Sequence, residues 1–294
     1  MKYLIPVLFV CTAAALFCCN AEKEKLSIPY PQPLPDTAAI TFLPKLVSSD
    51  SFDFNACFSL DGKSFYFTRN ENNKTLIYVI RYDGTQWGSP QLTSFTDTAW
   101  SQADPAFAPD GKMYFISNRP KDEADTLKDF DIWFSSPLEN GAWSAPENFK
   151  AINSDSNEYY VSFTAKGNVY FGSSRAGSIG QEDVYVSRLE NGTYTTPENL
   201  GAAVNTDKAE FDSFISHDEK LLIFASSKRA DGLGGADLYY SRFENGAWTK
   251  AANLGKHINT ATRDFCPYIS RDRKYFFFSS NGDVKWIEFE ALNH

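Results

Sequence analysis

One polar turn between two apolar strands occurs five times in this 294-residue chain. The copies read ACFSLDGKSFYFTRN, PAFAPDGKMYFISNR, VSFTAKGNVYFGSSR, SFISHDEKLLIFASSKR and PYISRDRKYFFFSSN, with turn residues Asp61, Asp110, Lys166, Asp218 and Asp272. A unit repeated roughly every fifty residues cannot bury its apolar face alone and must stack on its neighbours. Each copy runs on into a third apolar stretch (LIYVIR, DIWFSSP, DVYVSR, DLYYSR, VKWIEF). In four copies a fourth follows (QWGSPQLT, AWSAPENF, TYTTPENL, AWTKAANL). Four short antiparallel strands per unit define the blade of a β-propeller. With 25 Phe and 15 Tyr against 2 Met, the composition favours pleated surfaces over helices.

The fifth unit ends without a fourth strand, at EFEALNH. The stretch ITFLPKLVSSDSFD, residues 40–53, resembles the close of a repeat although it precedes the first. The fold expected is therefore all-β: a five-bladed propeller of four-stranded antiparallel blades. An N-terminal strand closes it, paired into the last blade so that no sheet edge is left open. Residues 39–294 form the propeller, 20–38 a linker in which Pro29, Pro31, Pro33 and Pro35 alternate, and 1–19 a signal peptide.

The signal reading rests on MKYLIPVLFVCTAAALFCCNAEKEK: one Lys, an apolar run, then charge. That run is short for a membrane span and contains Pro6. Two cysteines at its end suggest lipidation at Cys19, with ordinary cleavage after Ala21 as the rival. An exported protein in the periplasm or at the outer membrane follows, held to the membrane through that lipid alone. A net charge of −9 argues against nucleic acid and against electrostatic attraction to an anionic bilayer. Cys57 and Cys266 fall in neighbouring blades but two positions out of register, which disfavours a disulfide. Three His and no Cys pairs at metal spacing give a zinc or haem site no support.

The stretch from Asp104 to Arg119 and the pair SSRAGSIGQEDVY and SSKRADGLGGADLYY resemble the WD40-like (PD40) repeats of TolB-type propellers. The resemblance covers residues from about 40 to the end. It implies a propeller of the bacterial envelope; such repeats serve partner binding in many proteins and catalysis in some.

Three residue sets could carry chemistry. The Asp-Gly-Lys turn tolerates Lys166, Glu219 and Arg273 among its copies, so it reads as a bend. Arg119, Arg175 and Lys228, with Asp131, Asp183 and Asp237, bracket the hairpin loops and are expected to close them as salt bridges; recognition of an anion is the functional alternative. The third set enters the innermost strands: Asp53, Gln102, Glu158, Glu210 and Asp264, followed two positions on by Asn55, Asp104, Tyr160, Asp212 and Cys266. That face lines a propeller's channel. Strand-end hydrogen bonding is the plain reading. The functional one makes Asp53, Gln102, Asp104, Glu158, Tyr160, Glu210, Asp212 and Asp264 a ligand site, with crowded carboxylates able to recruit a cation such as Ca²⁺. Glu158, Glu210 and Asp264 are the candidates if the acids act on a glycosidic bond. Trp87, Trp143, Tyr194 and Trp248 recur at one position of the fourth strand and are expected to pack between blades, with stacking on sugar rings as the functional alternative. The function expected is a monomeric, non-enzymatic scaffold binding an envelope protein or a glycan at the channel mouth. The alternative is a glycoside-active enzyme.

Overall fold

The computed structural model describes Met1 and residues 26–139 and 141–293. The signal peptide and Cys19 lie outside the described residues. Five antiparallel sheets surround an axis. Blade 1 comprises Asp53–Phe58, Ser64–Glu71, Lys74–Arg81 and Gln91–Leu92. Blade 2 comprises Gln102–Phe107, Met113–Ser117, Asp131–Ser135 and Glu147–Asn148. Blade 3 is built from Glu158–Phe163, Val169–Ser173, Asp183–Ser187 and Glu198–Asn199. Blade 4 is built from Ala209–Ile215, Leu221–Ser227, Asp237–Glu244 and Ala252–Asn253.

Blade 5 has three consecutive strands, Asp264–Ile269, Tyr275–Ser280 and Asp283–Glu288, and takes its fourth, Ile40–Thr41, from the other end of the chain. Ile40 pairs with Trp286 and Thr41 with Lys285. Next along, the Phe42 N–H donates to the Val284 carbonyl at 2.8 Å, and the Phe42 ring is wholly buried against Phe58, Phe65, Phe277 and Trp286. The closure expected from residues 40–53 is thus a β-ladder with an aromatic plug behind it. Part of the Pro-rich linker also docks: Ile28 is buried, the Tyr30 hydroxyl donates to Asp272, and Trp87 Nε1 donates to the Pro29 carbonyl.

The fourth strands are shorter than the sequence suggests. Trp87, Trp143, Tyr194 and Trp248 pair with the end of their own third strand, and a separate two-residue strand forms beyond them. Pro90, Pro146 and Pro197 interrupt the run in three blades, since proline has no N–H for the ladder. Three of these aromatics lie against rings contributed by the preceding side: Trp143 on Phe95, Tyr194 on Phe149 and Trp248 on Tyr170.

The Asp-Gly-Lys segment is a bend. Asp61, Asp110, Asp218 and Asp272 each accept the N–H two residues on, while Gly62, Gly111, Gly167, Glu219 and Arg273 hold the positive φ the turn requires. The glycine-rich hairpins have another cause. A Cβ on Gly180 would sit 1.9 Å from the Lys208 carbonyl oxygen, and one on Gly234 would sit 2.1 Å from that of Thr262. Only a bare backbone can lie so close to the next blade's entry loop.

A closed channel with an aromatic mouth

Two concentric layers are built where the inner strands begin. In the outer layer Asp53, Gln102, Glu158, Glu210 and Asp264 are all fully buried. In four blades the acid accepts the backbone N–H and the hydroxyl of a Ser or Thr four residues earlier: Ser49, Ser154, Thr206 and Thr260. Its charge is met by an arginine at the end of the second strand: Arg69 to Asp53 at 2.6 Å, Arg175 to Glu158 at 3.0 Å and Arg229 to Glu210 at 2.9 Å. Arg119 makes the same reach to the Gln102 amide oxygen. Each guanidinium lies over two rings of its own blade, as Arg229 does over Phe224 at 5.3 Å and Tyr239 at 4.5 Å. Asp264 has no such arginine and is pushed up by burial, against hydrogen bonds from Ser280 and Thr260.

This pairing corrects the sequence reading of the basic residues. Arg119 and Arg175 do not bridge to Asp131 and Asp183; they turn inward to the strand-entry residues, because the second strand ends opposite the start of the first. In blade 4 the partner is Arg229, while Lys228 takes a left-handed kink at φ 61°. Asp183 and Asp237 instead accept loop N–H groups from Ile179 and Gly180, and from Leu233 and Gly234. Asp131 is held by Asn148 and by Lys121 at 3.5 Å.

The inner layer is Asn55, Asp104, Tyr160, Asp212 and Cys266. All five have positive φ, between 40° and 65°, and each falls within a bulge that breaks the register of the inner strand. A bulge turns an extra residue off the pleat, here toward the axis. The Tyr160 hydroxyl donates to the Pro267 carbonyl at 2.6 Å, from blade 3 to blade 5. Cys266 Sγ lies 3.4 Å from Asp212 Oδ2 and 3.8 Å from Asp104 Oδ1, a span from blade 5 to blade 2. These contacts plug the channel. Cys57 and Cys266 are both buried and free.

Above the plug lies an open cavity of about 480 Å³. Phe52, Phe54, Phe130, Tyr159, Phe211 and Phe265 line its wall, and Asp104, Asp212 and Cys266 lie at its base. Glu182 and Arg263 complete the lining that matters chemically. Burial, with the charge of Asp212 beside it, pushes Asp104 well above the carboxyl range. Burial pushes Glu182 well up too, again with Asp212 adding to it, and it raises Asp212 against the opposing charge of Arg263. Arg263 is exposed, its guanidinium resting on Phe211 at 5.1 Å and Phe265 at 4.9 Å.

Of the eight residues expected to contact a ligand, Asp104 and Asp212 are brought together at this cavity. Tyr160 is under the plug, lining a smaller cavity of about 60 Å³ with Cys57, His217 and Arg271. Asp53, Gln102, Glu158, Glu210 and Asp264 stand in the outer layer and do not line the cavity. Sequence reasoning missed Glu182, Arg263 and the aromatic wall. A signal for the wall was present: the residue after each strand-entry acid is Phe54, Tyr159, Phe211 or Phe265 in four of five repeats. Among the described residues no group of three or more His, Cys, Asp or Glu side chains is arranged to hold a metal ion.

No protein-family model and no curated protein matches the chain. Among solved structures it is similar to TolB from Acinetobacter baumannii, at 15% identity and a TM-score of 0.52, over 82% of this chain and 53% of that one. A putative TolB from Agrobacterium tumefaciens aligns at 18% identity and a TM-score of 0.50, over 82% and 78% of the two chains. A thermostable family-43 glycoside hydrolase aligns at 11% identity and a TM-score of 0.54, over 88% and 91%. The chain thus spans about half the length of the Acinetobacter protein. The three share its β-propeller fold, and at these identities the likeness speaks for the fold alone.

Proposed function

We propose that the protein is a non-enzymatic binding scaffold of the bacterial envelope, taking part of a protein or glycan into the axial mouth. The observation that carries this reading is the mouth itself: a cavity open to solvent, walled by six aromatic rings and closed below, on a ring whose blades are locked together. Ligand sites combine an apolar wall with a few converging polar groups, and this cavity does so with Asp104, Asp212, Glu182 and Arg263. The fully buried, partnered state of Glu158 and Glu210 supports a positioning role for the outer layer, which holds the inner strands in register. Export, with a lipid anchor at Cys19, belongs to the same proposal and draws on the N-terminal sequence and the TolB-type fold.

A glycoside-active enzyme is the second reading, and one observation favours it. Asp104 and Asp212 approach each other closely enough to share Cys266, and a carboxyl raised by burial beside another is the equipment of acid catalysis. Binding and turnover of envelope glycans and peptides by wild type, Asp104→Asn, Asp212→Asn and Glu182→Gln separate the two. A scaffold forms no product in wild type or in any variant, whatever the change in affinity; turnover that collapses in one variant makes the protein an enzyme.

A further inference from the structure

Two buried carboxyls, Asp104 and Asp212, and the half-buried Glu182 line one cavity with a single guanidinium among them. Asp104 and Asp212 are 6% and 7% exposed. Hydrogen bonding does not saturate them: among the described residues the one hydrogen bond to an Asp104 oxygen comes from the Cys266 thiol, and Asp212 receives that thiol and the Cys266 N–H through one oxygen. Glu182 Oε1 is sealed from solvent and has no hydrogen-bond partner. It lies where Gly172 leaves room, since a Cβ there would be 2.5 Å from that oxygen. Buried polar atoms are ordinarily paired, so this carboxyl, which borders the cavity, is short of donors.

The walls decide which donor. A hard metal ion such as Ca²⁺ needs six to eight oxygens, and most of this lining is aromatic carbon. Ring faces attract organic cations instead. The cavity already holds one in this way: Arg263 rests on Phe211 and Phe265, and it makes no ion pair or hydrogen bond with any described residue.

We propose that the mouth recognises an organic cation, an ammonium or guanidinium group on a slender apolar arm, of the kind a lysine or arginine side chain presents. The inference rests on the reading of the mouth as the binding site and names the chemistry it takes. The arm runs along the rings and the cationic head reaches Asp104, Asp212 and Glu182, supplying the donors they lack. The groups facing these carboxyls are one another, Cys266, Tyr159, Tyr160 and Arg263, with Glu210 behind Glu182. Because burial raises these carboxyls against the charge of Arg263 and a bound cation favours their ionised form, binding is expected to release protons and to strengthen as pH rises through their titration.

The variants can be chosen to leave the backbone undisturbed. Asparagine tolerates positive φ, and blade 1 carries Asn55 at this very position, so Asp104→Asn and Asp212→Asn suit the left-handed bulge. Nα-acetyl-lysinamide, Nα-acetyl-argininamide, the neutral Nα-acetyl-norleucinamide and glucosamine would be titrated against the full chain by ligand-observed NMR and by calorimetry in buffers of differing ionisation heat. The expected result is at least tenfold tighter binding of a basic amide than of norleucinamide, with proton release, both lost in the double Asn variant. Equal binding of norleucinamide, preference for glucosamine, or an unaffected double variant overturns the inference. A neutral glycan bound equally by wild type and the double variant, but lost in Phe54→Ala, overturns the cation while leaving the mouth as the site. Envelope ligands indifferent to Phe54→Ala as well overturn both.

Discussion

The Cys266 backbone N–H and thiol both point at one oxygen of Asp212, at 3.2 and 3.4 Å, joining blade 5 to blade 4 at the floor of the cavity. Among the described residues this double contact is all the hydrogen bonding that carboxyl has, and it leaves Asp212 raised by burial. Asp104 beside it is raised further, by burial and by Asp212 itself. A carboxyl raised in the folded state binds its proton more tightly there than in the unfolded chain, where it titrates near about 4. Such a group lowers stability progressively as pH climbs above that value. Asp104→Asn and Asp212→Asn are therefore expected to raise the melting temperature at pH 8 relative to wild type, and to change it less at pH 4. The reverse order in calorimetric scans would mean that these carboxyls are stabilised as anions.

The outer layer predicts a different behaviour. Glu210 is fully buried and paired with Arg229, whose side chain is 10% exposed. Arg229→Met leaves a buried carboxylate without its cation, which costs about 3–5 kcal/mol. By contrast Arg188 and Glu198, 42% and 62% exposed and 3.8 Å apart, contribute less than ~1 kcal/mol. Urea denaturation of Arg229→Met beside Glu198→Gln should show a large loss in the first and almost none in the second.

Ring closure rests on a short ladder and one ring. Phe42→Ala removes a wholly buried side chain from among four aromatic neighbours and is expected to cost about 3–5 kcal/mol. Leu189→Ala, at an exposed position of the outer edge of blade 3, is the matched control and should be near neutral. Equal losses in the two would show that the N-terminal strand does not hold the ring shut.

The architecture was legible because a repeat states the same information five times: strand, bend, strand, with the missing last strand found at the start of the chain. Partnership between side chains was less so. Arg175 and Glu158 are 17 residues apart, and the acids at Asp183 and Asp237 lie closer in sequence to the basic residues than their real partners do. Only the register of the first two strands brings the true pairs together. The bulge was hidden as well, since Asp104, Tyr160 and Cys266 share no chemistry that would mark a common left-handed backbone. Glu182 and Arg263 escaped notice for another reason: each is singular, with no counterpart in the other blades to draw attention to it.

The central claim is that ligand meets this protein at the aromatic mouth. Phe52 stands at that mouth, 47% exposed, and Phe243 is similarly exposed, at 43%, near the end of the third strand of blade 4. Placing a photoreactive phenylalanine at each position in turn, irradiating whole cells and comparing adducts tests the claim in the cell. The account predicts discrete adducts from position 52 and only background from position 243. Adducts confined to position 243, or of equal yield at both, would contradict it.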